Sequence, residues 1–246
     1  MGENTLLDKY FDLVIREGLY STEKRLRFYL NYLFKNTIFD NKTMLDIGGG
    51  TGLLSSYAAC RGAKKVVCIE PEAEGSSLGS SKRFIKLQTA LQLSDIIELE
   101  KTTFQNFDSS HKKFDIILLH NSINHLDENS CINLQHDIHA IERYKRIFEK
   151  ICNLSNKEAK LIIVDVTRYN FFAKFNITNP FNPNIEWHKH QPPEYWAKLL
   201  LDFGFSNPEI RWNTPNPLYS IGKILLGNKV ANYFIGWGFC LTMLKR

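Results

Sequence analysis

The stretch Met44-Leu45-Asp46-Ile47-Gly48-Gly49-Gly50-Thr51-Gly52 constrains the fold of this chain more than any other. Its apolar run (Met44, Leu45, Ile47) reads as the end of a buried strand, the glycines as a tight turn, and Leu53 to Ala59 as the start of a helix. Glycine suits such a turn because it adopts positive φ and lets a ligand approach the backbone with no Cβ in the way. Val66-Val67-Cys68-Ile69 reads as a second buried strand. Glu70 stands at its C-terminal tip, roughly 20 residues beyond the glycines, as in a nucleotide-binding βαβ unit. An acid at that place accepts both hydroxyls of a ribose. The unit is expected to bind a nucleoside.

The dinucleotide fingerprint is Gly-x-Gly-x-x-Gly, whose helix N-terminus receives a pyrophosphate. Here Gly48, Gly50 and Gly52 give Gly-x-Gly-x-Gly, and Leu53 falls where the third dinucleotide glycine belongs. Asp46 sets a carboxylate beside the ligand, which suits a cationic amino group and repels a pyrophosphate. Asp46 and Leu53 thus argue against a nicotinamide oxidoreductase. With Asp46 before the glycines and Glu70 after them, the sequence resembles the class I S-adenosylmethionine-dependent methyltransferases, whose first motif reads Asp-x-Gly-x-Gly-x-Gly. The resemblance covers roughly residues 40 to 246. It implies that Asp46 and the Gly48, Gly50, Gly52 loop hold the methionine part of S-adenosylmethionine, and that Glu70 takes the ribose hydroxyls. Where the family often has an Asp capping the adenine amino group, this chain has Thr103, able to hydrogen-bond, followed by Phe104, able to pack on the base. Pro71-Glu72 departs from the family's usual apolar residue against adenine.

Alternating apolar runs and helical patterns extend the motif into an α/β fold. Strands are expected at 43–47, 65–69, 96–100, 114–119 and 160–166, with later candidates at 208–212 and 239–244. Helices are expected over about 81–92, 130–152, 193–203 and 219–226. Residues 3–36 read as one helix or two, broken near Gly18, capping the sheet edge and cofactor mouth. The expected fold is a doubly wound, mostly parallel seven-stranded sheet with an antiparallel last strand, as the resemblance implies. It forms one domain over 1–246, divided into a helical cap (1–40), a cofactor-binding core (41–166), a substrate lid (167–191) and the C-terminal part of the sheet with an insertion (192–246). The lid is rich in Phe, Asn and Pro, and its aromatics (Tyr169, Phe171, Phe172, Phe175, Phe181, Trp187) argue that it is ordered.

A composition of 43% hydrophobic and 23% charged residues is that of a globular protein. The first residues lack a charged-then-apolar export signal. The apolar stretch Val230 to Leu244 is shorter than the roughly 20 residues that span a bilayer. Five scattered cysteines form no Cys-x-x-Cys pair, so neither a disulfide framework nor zinc is indicated. A cytoplasmic location is expected, with no transmembrane segment. The net charge of +5 is concentrated at the C-terminal end, where Arg211, Lys223, Lys229, Lys245 and Arg246 face one acid, Glu209. That excess serves solubility or attracts an anionic substrate or membrane surface. No basic run interleaved with aromatics points to nucleic acid.

His120-Asn121-Ser122-Ile123-Asn124-His125-Leu126-Asp127 resembles the fourth methyltransferase motif, which puts the His120 backbone near the sulfonium. The His120 or His125 imidazole is suited to take a proton from an acceptor hydroxyl. Glu186-Trp187-His188-Lys189-His190 is a second polar cluster, fit for the rim of a substrate pocket, so His188 and His190 join the catalytic candidates. His136 and His139 read as a solvated helix face. His120 and Asp165 both fall near strand tips, but histidine is a poor magnesium ligand and no metal is expected. The sequence therefore predicts methyl transfer to an oxygen or nitrogen of a small polar molecule, a sugar or secondary metabolite. The alternatives are a methyltransferase acting on a protein or lipid, and a non-catalytic cofactor-binding scaffold. Oligomeric state is not readable.

Overall fold

The structure, a computed structural model, describes residues 5–72, 79–108, 112–214 and 218–246. The first two residues of the helical stretch expected over 3–36 lie outside them. The chain divides into two compact units, Met1–Leu119 and His120–Arg246.

The first unit carries β1 (Thr43–Ile47), β2 (Lys65–Ile69), β3 (Ile97–Glu100) and β4 (Phe114–His120), the last ending at the boundary. β1 lies between β2 and β4, and β3 flanks β2, all parallel. A parallel strand covered on both faces has to be apolar along its whole length. Met44, Leu45, Val66, Cys68, Ile117, Leu118 and Leu119 are accordingly fully buried. The helices are α1 (Leu6–Arg16), α2 (Glu23–Leu33), α3 (Leu53–Cys60) and α4 (Ser80–Ala90). Thr5 and Asp8 start α1 with a reciprocal capping box, which satisfies two otherwise orphaned backbone N–H groups. The buried face of α1 packs on α3. The Tyr10 hydroxyl donates to the Leu53 carbonyl at 3.2 Å, and Tyr10, Phe11, Phe34 and Phe39 surround the Tyr57 ring. The N-terminal helices thus grip the helix that follows the glycine turn.

The second unit contains α5 (Glu128–Asn133), α6 (Ile138–Leu154), β5 (Ser155–Val166), α7 (Phe171–Phe175), α8 (Pro193–Leu201), β6 (Phe205–Trp212), α9 (Tyr219–Leu226), α10 (Lys229–Ile235) and β7 (Gly238–Lys245). β7 runs antiparallel to β5 on one side and to β6 on the other. Phe239, Cys240 and Leu241 in its middle are fully buried. The seven strands follow the order β3-β2-β1-β4-β5-β7-β6, flanked by helices. This is the mostly parallel sheet with an antiparallel last strand that the sequence predicts.

Several elements differ from the sequence reading: β5 starts at Ser155 and not at 160, and the short helix α7 lies in the segment expected to be irregular. The single helix expected over 130–152 is two, because Asp137 accepts from the His139 N–H at 2.8 Å and caps a new helix there. β6 begins at Phe205 and runs through an irregularity between Ser206 and Glu209, where Asn207 has φ 53° and Pro208 donates no ladder bond. α10 was not expected; the Asn228 side chain accepts from the Ala231 N–H at 2.9 Å to start it, and Gly236 (φ 65°) ends it. Among the described residues no helix is long and apolar enough to cross a membrane.

Candidate functional site

In the first unit the chain leaves β1 through a turn in which Gly48, Gly50 and Gly52 have φ of 73°, 55° and 74°. The N–H groups of Gly48 and Gly49 donate to the Ile69 carbonyl at 2.8 and 3.3 Å, tying the turn to the tip of β2. Glu70, nearly buried, completes the tie: Oε2 accepts from the Gly50 N–H at 2.7 Å and Oε1 from the Glu72 N–H at 3.2 Å. Each carboxylate oxygen keeps a further lone pair with which to accept a hydroxyl. A Cβ on Gly50 would meet nothing within 4 Å, so the turn has an open side. A Cβ on Gly49 would stand 2.3 Å from Cys68 Sγ and 2.8 Å from Asp46 Oδ2. Gly49, an unspecified position in the sequence motif, is thus a packing requirement of the site.

Asp46 is completely buried. Its Oδ2 accepts from Ser55 Oγ at 2.7 Å, whereas Oδ1 is buried with no partner. Burial raises its pKa to about 6 and the nearby Glu70 charge adds to the rise, while the Ser55 hydrogen bond opposes it. An unpartnered buried carboxylate oxygen is costly unless something cationic meets it. The amino group of S-adenosylmethionine has the charge and donors that Oδ1 lacks, and its ribose offers the hydroxyls that Glu70 can accept. The residues present therefore fit that cofactor. Thr103 is exposed and its Oγ1 accepts from the Asn106 N–H at 3.3 Å, while Phe104 is buried in the core.

The second unit holds the four candidate histidines. His120, at the end of β4, is half-buried and its pKa is pushed down to about 4 by burial. It is neutral at ordinary pH and a weak proton acceptor. His125 is exposed in a 3₁₀ turn, with Nδ1 3.3 Å from Glu128 Oε2 and Nε2 3.5 Å from Asn124 Nδ2. His188 lines a cavity of about 800 Å³ formed by the segment between β5 and α8, with Arg168, Tyr169, Phe172, Trp187 and Tyr233 among its other walls. His190 is held most firmly. Its Nδ1 lies 2.8 Å from Oδ1 of Asp165, a carboxylate 1% exposed near the tip of β5, whose Oδ2 is buried and unpartnered. Arg168 braces the same loop, donating Nε to the His190 carbonyl at 2.5 Å and its other nitrogens to the carbonyls of His188 and Ile132. The sequence marks His190 and the strand-tip position of Asp165 separately. It offers no signal that pairs them, and none for Arg168.

Residues 20–210 match the family model described as a methyltransferase domain. Over 112 residues, 45% of this chain and 30% of the relative, the sequence is 33% identical to protein arginine N-methyltransferase 6 from Danio rerio. The matched stretches span about a third or less of the length of the curated relatives. A SAM dependent methyltransferase from Aquifex aeolicus superposes with a TM-score of 0.58 at 14% identity, covering 98% of both chains. One from Archaeoglobus fulgidus gives 0.55 at 14%, covering 96% of this chain and 99% of that one. At such identities these structures speak to the fold, which is the same. The chain belongs to the methyltransferase-domain family; it has the fold of S-adenosylmethionine-dependent methyltransferases, and the residues of its glycine turn fit S-adenosylmethionine as the cofactor.

Proposed function

We propose that this chain transfers a methyl group to an oxygen or nitrogen of a small polar molecule, a sugar or secondary metabolite, with His190 as the base that receives the acceptor's proton. The cofactor supplies an electrophilic methyl on a sulfonium sulfur, and displacement there needs alignment and exclusion of water rather than elaborate acid–base machinery. Asp46 holds the cofactor's amino group, the Gly48, Gly50, Gly52 turn its carboxyl end, and Glu70 its ribose. Thr103 flanks the adenine, and the His120 backbone lies near the sulfonium.

The observation that carries the acceptor side is the 2.8 Å contact between His190 Nδ1 and the buried Asp165. A carboxylate only accepts, so Nδ1 carries the proton and Nε2 the lone pair. A base within reach of its proton and oriented by a third group is the arrangement used for activating hydroxyl and amine nucleophiles. The lid cavity, walled by aromatics, by Arg168 and Lys174 and by Glu186 and His188, suits a compact polar acceptor. The arginine methyltransferase relatives favour a second reading, in which the acceptor is a protein side chain.

The test is transfer of radiolabelled methyl from S-adenosylmethionine into a cell extract separated into low-mass aqueous, lipid and protein fractions. Label in the low-mass fraction, reduced about 10²–10⁴-fold by His190→Ala, is the expected result. Label confined to protein would establish the second reading, and label confined to lipid would overturn both.

A further inference from the structure

The hairpin of α9 and α10 is the most exposed apolar surface of the second unit. Ile221, Ile224 and Leu225 are 70%, 81% and 65% exposed. Spaced i, i+3, i+4, they share one face of α9. Val230 and Phe234, one turn apart on α10, are 69% and 58% exposed. The turn between the helices is pinned by Asn228, whose Nδ2 donates to the Leu225 carbonyl at 3.1 Å while its Oδ1 caps α10. The apolar surface continues onto α7 through ring contacts, Phe234 to Phe171 at 6.1 Å and Phe171 to the exposed Phe175 at 4.9 Å.

Charge selects what this surface meets. From Ile210 to Arg246 the sequence has no Asp or Glu. Lys223 lies on α9, Lys229 opens α10, and exposed Lys174 sits on α7. Lys229 is partly offset by Glu194 of α8. Large aliphatic and aromatic side chains among lysines are the composition of a helix lying in a bilayer interface. Two copies meeting through this face would bring lysines against lysines, which disfavours self-association.

We infer that the α7, α9 and α10 face docks this enzyme on an anionic lipid surface, with Ile221, Ile224, Leu225, Val230 and Phe234 entering the acyl boundary and the lysines meeting phosphate headgroups. Phe172, Lys174 and Tyr233, on the same helices, line the lid cavity, so docking sets that cavity at headgroup level. The inference concerns where the enzyme works and stands apart from the identity of the acceptor.

Co-sedimentation of the full chain with vesicles tests it, with phosphatidylcholine alone compared with phosphatidylcholine plus phosphatidylglycerol. The protein is expected to partition onto the anionic vesicles and to leave them as salt screens the lysines. Ile224→Ser with Leu225→Ser should reduce partitioning at least about tenfold, because several buried methylenes are removed. Both side chains are exposed, and unchanged thermal unfolding and S-adenosylhomocysteine binding would show the variant folded. Lack of partitioning by the folded wild-type chain, or undiminished partitioning by the double variant, would overturn the inference. So would a dimer in lipid-free solution that the double variant loses.

Discussion

Asp46→Asn isolates the buried carboxyl beside the glycine turn. The carboxyl is fully buried, one oxygen bonded to Ser55 and the other unpartnered, and burial raises its pKa from 3.8 to about 6. As pH rises from 3.8 to about 6 the unfolded chain has already released this proton while the folded chain retains it. The folded state binds more protons in that window, so stability falls with rising pH and stays lower above it. A shift of this size corresponds to roughly 3 kcal/mol. An amide does not titrate. The stability of the variant relative to wild type should therefore rise by roughly 3 kcal/mol between acid and mildly alkaline solution, read by urea unfolding of the cofactor-free protein at a series of pH values. Ligand binding should show the opposite preference. Wild-type affinity for S-adenosylhomocysteine should increase as pH rises through about 6, where Asp46 ionises, and then level off. The variant should bind more weakly above that pH by about 1.5–3 kcal/mol, the range for a hydrogen bond to a charged group. Unfolding curves of the two proteins that stay parallel across the whole pH range would refute the reasoning.

Glu70→Ala should weaken S-adenosylhomocysteine binding by about 1–3 kcal/mol, since it removes the ribose acceptor and leaves the Gly50 N–H unpaired; calorimetry giving an unchanged affinity would take Glu70 out of that role. Gly49→Ala forces a methyl into the space of Cys68 Sγ and Asp46 Oδ2 and should lower stability by about 1–3 kcal/mol, seen as a lower urea midpoint at constant slope. A neutral result would mean the turn can shift away. Asp165→Asn should slow methyl transfer by about 10²-fold or more with S-adenosylhomocysteine affinity unchanged, because it removes the group that orients His190. Equal losses in rate and in cofactor affinity would instead make Asp165 a structural residue.

The first unit was almost wholly legible in the sequence, for a physical reason. A parallel strand buried on both faces is written as a continuous apolar run, and the turn between β1 and α3 needs positive φ at fixed positions. Both leave a local signature in consecutive residues. The second unit is less local. The break before α6 depends on Asp137 capping a new helix inside a stretch whose apolar spacing suggests one helix throughout. Most of α10 falls inside the apolar stretch Val230 to Leu244, whose interruptions mask a helix, although Asn228 and Gly236 mark its two ends. The pairing of His190 with Asp165 crosses an irregular lid of two dozen residues, and no periodicity constrains where such a segment returns. Gly49 escaped notice because its requirement comes from Cys68 on the neighbouring strand.

The most direct measurement is calorimetric titration of the purified chain with S-adenosylhomocysteine, with NADH as the control, in wild type and Asp46→Asn. The account predicts saturable binding of S-adenosylhomocysteine to wild type, weaker binding to the variant, and no binding of NADH. Wild-type protein that ignores S-adenosylhomocysteine, or that takes NADH equally well, would contradict it.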